Sequence, residues 1–252
     1  MKIFICGSIA IKQLNEKITG QLDEFLDSKN EILIGDADGV DSLVQEYLFS
    51  KNYTNVTIYH IGNEPRNGND KNFKTHKSNY DESLDCKKNK ERAKQTFKDE
   101  RMIEDCDCCF CIWDGKSKGS YANIKKTLDK KKQVYMYYNK SIHELLPNQN
   151  SKNEVDTIYE SNNGYSIREI YDLLKEDYEC GKESVFKKIL KDKKLIKDMS
   201  NNRVEPTDIE DGIPQLYKGF LSSYRFKESF IKKVEAILKK RSKTLAQGSL
   251  PI

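Results

Sequence analysis

Two short runs of small and polar residues stand directly behind apolar segments. Cys6-Gly7-Ser8 follows Ile3-Phe4-Ile5, and Gly35-Asp36-Ala37-Asp38-Gly39-Val40-Asp41 follows Ile32-Leu33-Ile34. Glycine lets backbone N–H groups come close to a phosphate, and a helix opening behind such a loop adds the positive end of its dipole. Gly7, Ser8, Gly35, Asp36, Gly39 and Asp41 are therefore candidate contacts to a phosphate or a ribose. Glycine also serves plain strand-end turns, but two such loops at one sheet edge favour a ligand. Arg66 and Arg92 carry the guanidinium groups suited to paired oxyanion contacts, a solvated surface position being the alternative for each. Trp113 could stack on a base or complete a core, and the core is the simpler reading. Asp99, early in a helical segment, and Asp114, behind an apolar run, are candidate catalytic carboxylates. A first-turn acid and a turn residue are their ordinary duties.

Other reactive residue types suggest less. Cys106, Cys108, Cys109 and Cys111 have metal-like spacing, yet on a strand Cys108 points to one face while Cys109 and Cys111 point to the other. Their sulfurs cannot all converge, so buried small hydrophobes are expected and no metal site. His60, His76 and His143 are scattered and suggest neither a metal nor a nucleophile–base pair. Seven cysteines without framework spacing, behind a leading apolar run of only four residues, 3–6, fit free thiols, a cytoplasmic location and no membrane span. A net charge of +4 is too small to mark a nucleic-acid binder in bulk.

Such loops need a frame, and the first half of the chain supplies one. Strand signals at 2–6, 31–34, 55–60, 107–113 and 133–138 alternate with helical patterns at 11–28, 40–51, 91–106 and 120–131. This alternation specifies an α/β, Rossmann-like parallel sheet, for which the strand order 3-2-1-4-5 is expected, with the glycine loops at its carboxyl edge. From 62 to 90 the pattern stops, and Phe73, Tyr80 and Leu84 are its few apolar residues, so a lid or mobile insertion is expected there. The first domain spans 1–145, a linker 146–153, and a smaller, mainly helical module 154–252. In that module Ser166 can cap a helix bearing Ile167, Ile170, Leu173 and Leu174. A helix with Val185, Phe186, Ile189 and Leu190 follows. A hairpin pairing 195–197 with 203–205 would complete a winged-helix-like order. A last helix, 227–240, presents Phe230, Val234 and Leu238 to the module or to another subunit of a homo-oligomer.

The segment 35–41 has the G-x-A-x-G-[IV]-D pattern of DNA-processing protein A, and so resembles that family. Ile112-Trp113-Asp114-Gly115-Lys116-Ser117, with Gly119-Ser120 beyond it, resembles the wider SLOG superfamily, which includes the lonely-guy phosphoribohydrolases and is similar to nucleoside 2-deoxyribosyltransferases. The resemblance covers residues 1 to about 138. It implies a nucleotide or NAD-derived ligand and adds Gly115, Gly119, Ser120 and Asn123 to the ligand-binding set. The enzymes of that group read G-[ST]-x-x-E, whereas this chain has Asn123 in place of the Glu. An oxocarbenium-like transition state needs a carboxylate, which Asn does not supply, although its amide can bind hydroxyls or a base edge.

The faint winged-helix resemblance makes Lys187, Lys188 and Lys191 candidate contacts to DNA phosphates, with a solvated basic face as the alternative. Three functions stay open. The leading one is a sensor or sequestering protein for a nucleotide or NAD-derived molecule, requiring no cofactor and suited to phage–host conflict. The others are an N-glycosidase or phosphoribohydrolase and a DNA-binding protein.

Overall fold

The computed structural model describes residues 1–68, 71–81, 90–199, 203–217 and 220–247. The chain divides into two compact units, Met1–Thr157 and Ile158–Ile252. In the first, Lys2–Gly7 (β1) is the central strand, and Ile3, Phe4 and Ile5 have no exposed surface. A parallel strand covered on both faces needs such an unbroken apolar run. Glu31–Ile34 (β2), Val56–His60 (β3) and Lys74–Lys77 (β4) extend one side; Cys108–Ile112 (β5), Gln133–Tyr138 (β6) and Ser141–Leu145 (β7) extend the other. The order is β4-β3-β2-β1-β5-β6-β7, parallel throughout except for β7. The five strands expected from the sequence fill the middle in the expected order, and the two edge strands are additional.

Glu16–Asp27 (α1) opens on Asn15, whose Oδ1 accepts from the Ile18 N–H at 3.1 Å. With Val40–Ser50 (α2) it covers one face of the sheet, packing Ile18, Leu22, Phe25, Val44 and Leu48 on Ile3, Ile5 and Phe110. Lys90–Asp105 (α3) and Lys118–Asp129 (α4) pack on β1, β5 and β6 from the other side. Parallel strands bring the carboxyl ends of β1, β2 and β5 to one edge, and the approach there is tight. A Cβ on Gly7 would lie 2.4 Å from the Ile112 carbonyl oxygen and 2.6 Å from a Val40 methyl.

The segment 62–90 corrects the expectation of a stretch without anchors. Strand β4 lies within it, pairing in parallel with β3, and the Ser78 N–H donates to the His60 carbonyl at 2.7 Å. Arg66 and Asn67 are tied down as well, and Phe73 is buried. Residues 69–70 and 82–89, on which the rest of the lid expectation falls, lie outside the described residues. The stretch 146–153, read as linker, runs into a helix, Gln149–Asn163 (α5), and the division between the units falls inside that helix.

In the second unit, Ile167–Leu174 (α6) opens with a capping box: Ser166 Oγ accepts from the Glu169 N–H, and Glu169 Oε2 accepts from the Ser166 N–H at 2.7 Å. Glu183–Asp192 (α7) follows, then the expected short hairpin, Ile196–Asp198 (β8) with Val204–Pro206 (β9). A second and longer hairpin, Gly212–Tyr217 (β10) with Phe220–Phe226 (β11), precedes Glu228–Gln247 (α8). Two hairpins make this unit less helical than the sequence suggested. Phe230, Val234 and Leu238 are buried against Ile170, Phe186 and Phe226. That face of α8 therefore belongs to the unit's own core and is not offered to a second subunit. Leu173 and Val185, on the same two helices, are exposed. Among the described residues no helix is long and apolar enough to cross a membrane.

Candidate functional site

A cleft of about 280 Å³ opens at the carboxyl edge of the first unit's sheet. Gly7, Gly35, Asp41, Arg66, Asp99, Gly119, Ser120 and Asn123 line it, so strand-end loops, α3 and the first turn of α4 contribute together. At its centre stands Lys98, which sequence reasoning passed over. Its side chain is 3% exposed, and Nζ lies 3.1 Å from Asp36 Oδ1 and 3.9 Å from Asp99 Oδ1. A Cβ on Gly35 would come within 2.4 Å of Asp41 Oδ2 and 2.5 Å of Lys98 Nζ. The missing side chain is what lets these two groups crowd over the second loop.

Arg66 clasps Asp36 from outside. Its Nε donates to Oδ2 at 3.1 Å, its Nη2 to Oδ1 at 2.8 Å, and its backbone N–H to Oδ2 at 3.2 Å. Burial alone would raise the Asp36 pKa, but hydrogen bonds from Arg66 and the Lys98 charge outweigh it and bring the pKa to about 2. Asn67 Nδ2 donates to the carbonyls of Asp36 and Ala37 at 3.0 and 3.1 Å, so the same chain segment fixes the loop backbone.

The two other carboxyl groups behave oppositely. Burial pushes Asp41 up to about 7, against the pull of Lys98 and of the Ala37 N–H at 3.1 Å. Burial likewise raises Asp99 to about 6, opposed by Lys98 and by Asn123, whose Nδ2 donates to Asp99 Oδ2 at 3.0 Å. Raised carboxyl pKa values mean that the folded chain binds more protons than the unfolded one between roughly pH 4 and 7. Stability contributed by these two groups therefore declines as pH rises through that window. For Asp36, depressed to about 2, the sign is reversed: its contribution is complete above the ordinary carboxylate range and is lost on acidification towards pH 2. Asp41→Asn keeps an acceptor for the Ala37 N–H and removes the ionisation. It is expected to stabilise the protein at pH 8 by on the order of 2 kcal/mol and to change little at pH 4, as denaturant titrations at the two pH values would show.

The remaining sequence candidates scatter. Asp114 Oδ1 accepts from Ser8 Oγ at 2.8 Å and from the Lys116 and Ser117 N–H groups at 2.9 and 2.8 Å. It organises the turn before α4, with Gly115 at φ 77°, and does not line the cleft. Ser8 is buried behind that turn, and Gly39 braces the second loop against Ile9. Trp113 is 1% exposed and donates from Nε1 to the Ser117 carbonyl at 3.1 Å, which makes it a core residue. Arg92 lies exposed on α3 and is not among the cleft residues. Among the described residues no group of three or more His, Cys, Asp or Glu is placed to hold a metal ion.

Comparison with protein-family models, curated proteins and solved structures finds no match for this chain. The missed residues had a signal of their own. Gln95, Lys98, Asp99 and Met102 follow i, i+3, i+4, i+7 spacing, and α3 turns that one face into the cleft. In the second unit, Lys187 pairs with Glu183 at 2.7 Å and Lys191 with Asp198 at 2.7 Å, while Lys188 is exposed.

Proposed function

We propose that the first unit binds a small nucleotide-derived ligand in this cleft. One observation carries the reading: the loops after β1 and β2 and the first turn of α4 open on one cavity, lined by polar and apolar groups together, at the carboxyl edge of a parallel sheet. At about 280 Å³ the cavity is close to the lower bound for small-molecule sites. Its polarity orients the guest. First-turn N–H groups of a helix lack intrahelical partners and favour an anion; Ser117 Oγ caps the Ser120 N–H at 3.4 Å, so a phosphate belongs at Gly119. Asp99 and Asn123 offer acceptors and a donor to sugar hydroxyls or a base edge, and carboxylates at that end repel a phosphate. The motifs that resemble the SLOG superfamily border this same cavity, which agrees with a nucleotide or NAD-derived guest.

A second reading, N-glycosidic cleavage, is favoured by the pairing of Asp99 with Asn123. The carboxylate lacking at position 123 is present beside it, supplied by α3. Cleavage of this kind needs one carboxylate near the sugar carbon and a proton donor, and Asp99 and Asp41 have pKa values raised into a range where those roles divide. The test is to incubate the purified protein with nucleoside monophosphates, NAD and cyclic ADP-ribose-type compounds, following binding by calorimetry and free base by chromatography. Stoichiometric binding without base release is the expected result. Steady base release that Asp99→Asn abolishes would replace the first reading by the second. Neither binding nor release would remove both.

A further inference from the structure

The face of β1 that carries Phe4 also carries Cys6, and the matching face of β5 carries Cys109 and Cys111. Cys6 Sγ lies 3.8 Å from Cys109 Sγ, and Cys111, directly opposite Cys6 in the strand register, donates from Sγ to the Ser120 carbonyl at 4.0 Å. Three sulfurs thus meet across two adjacent strands. Cys6 lines the ligand cleft, where Lys98 and Asn123 are its polar neighbours. A thiol that merely filled space would have apolar neighbours and no opening.

We propose that Cys6 is a peroxide-reactive thiol at the base of the cleft and that Cys111 resolves it as a disulfide. The Cys6 sulfur attacks a peroxide O–O bond, so that an S–O bond forms, the O–O bond breaks, and the departing hydroxide takes up a proton. The Cys111 sulfur then attacks the sulfenic acid, the S–S bond forms, the S–O bond breaks and water leaves. Two thiols are oxidised to one disulfide, and hydrogen peroxide is reduced to two molecules of water.

Register decides which thiol resolves. Cys6 stands opposite Cys111 on parallel strands, a separation of roughly 4.8 Å that a disulfide spans. Cys109 is paired with Phe4, two residues back along β5. That offset puts its Cα roughly 8 Å from that of Cys6, beyond the reach of an undistorted bridge. Cys109 therefore serves as the hydrogen-bonding partner of the Cys6 sulfur. The hydrogen bond to Cys109 holds the Cys6 thiol well below its ordinary range, while burial pushes Cys109 and Cys111 well above it. Cys6 is also the one of the three that lines the cleft, so it is the sulfur a peroxide entering there meets first.

Titration of the full chain with hydrogen peroxide, followed by non-reducing peptide mapping with tandem mass spectrometry, tests the assignment. Oxidation of Cys6 is expected about tenfold faster than that of Cys106 or Cys108, ending in a Cys6–Cys111 disulfide. Cys111→Ala should leave Cys6 as a sulfenic acid that dimedone captures, and Cys109→Ala should still give the disulfide. The mapping of the unaltered chain stands even where a variant does not fold. A bridge from Cys6 to Cys109 or to Cys86, or a Cys6 left reduced while Cys106 or Cys108 is oxidised, would overturn the proposal.

Discussion

Lys98→Met is expected to destabilise the protein by about 3 to 5 kcal/mol at pH 8, the range for breaking a buried ion pair by removing one partner. The methionine matches most of the lysine stem, so the loss is chiefly one of charge. Asp36 keeps its clasp from Arg66, but Asp41 and Asp99 lose the cation that opposes the effect of burial on them. Without Lys98 both carboxyl groups move further up, and they take protons more readily than the pKa values of about 7 and about 6 already allow. The penalty for the variant should therefore shrink as pH falls to 5, where both groups are protonated and no bare carboxylate is left in the cleft wall. Urea titrations of the two proteins at pH 8 and pH 5 measure this. A loss of equal size at both pH values would assign the contribution of Lys98 to its pair with Asp36, ionised at both, and not to Asp41 and Asp99.

The frame around Lys98 is legible because parallel strands buried on both faces must be continuous apolar runs, as at Ile3-Phe4-Ile5 and Phe110-Cys111-Ile112. The edge strands are not. Lys74-Thr75-His76-Lys77 has no apolar residue, and lysines along an edge also discourage pairing with another chain. The turn into β7 uses Asn139 and Lys140 at φ 47° and 63°, a conformation usually announced by glycine. Pro214 disguises β10, since proline argues against a strand unless an edge accommodates it. Helix α5 buries Val155 on a largely polar sequence, so periodicity is weak there. Within the site, the glycine loops could be read because their chemistry is local. Lys98 could not be read as easily: an apolar-stripe search discards a lysine, and only the surrounding carboxylates make its burial tolerable. The convergence of Cys6 with Cys109 and Cys111 depends on the register between β1 and β5, which their spacing in the chain does not contain.

Two glycines at the cleft should respond to alanine in opposite directions. Gly39 has φ 80° and ψ −122°, and a Cβ there would lie 2.6 Å from Ile9 Cα and 2.8 Å from the Ile9 carbonyl oxygen. Backbone blocks the methyl and the dihedral strains it, so Gly39→Ala is expected to cost about 3 kcal/mol and to splay the first two loops apart. Gly119 is a different case. It lies in the first turn of α4 with open space beside it, the nearest atom to an added Cβ being Ser117 Oγ at 3.9 Å. Alanine restricts the unfolded chain and suits a helix, so Gly119→Ala should stabilise by about 0.5 to 1 kcal/mol. That open space is the cleft itself, at the turn where the proposed phosphate approaches the backbone. The same methyl should therefore weaken binding of a nucleoside monophosphate by about tenfold or more, a loss of about 1.4 kcal/mol. Thermal unfolding and calorimetry on one preparation separate the two effects. A more stable Gly119→Ala protein with weaker binding would mark this glycine as a concession to the ligand. A more stable protein with unchanged affinity would move the phosphate away from α4.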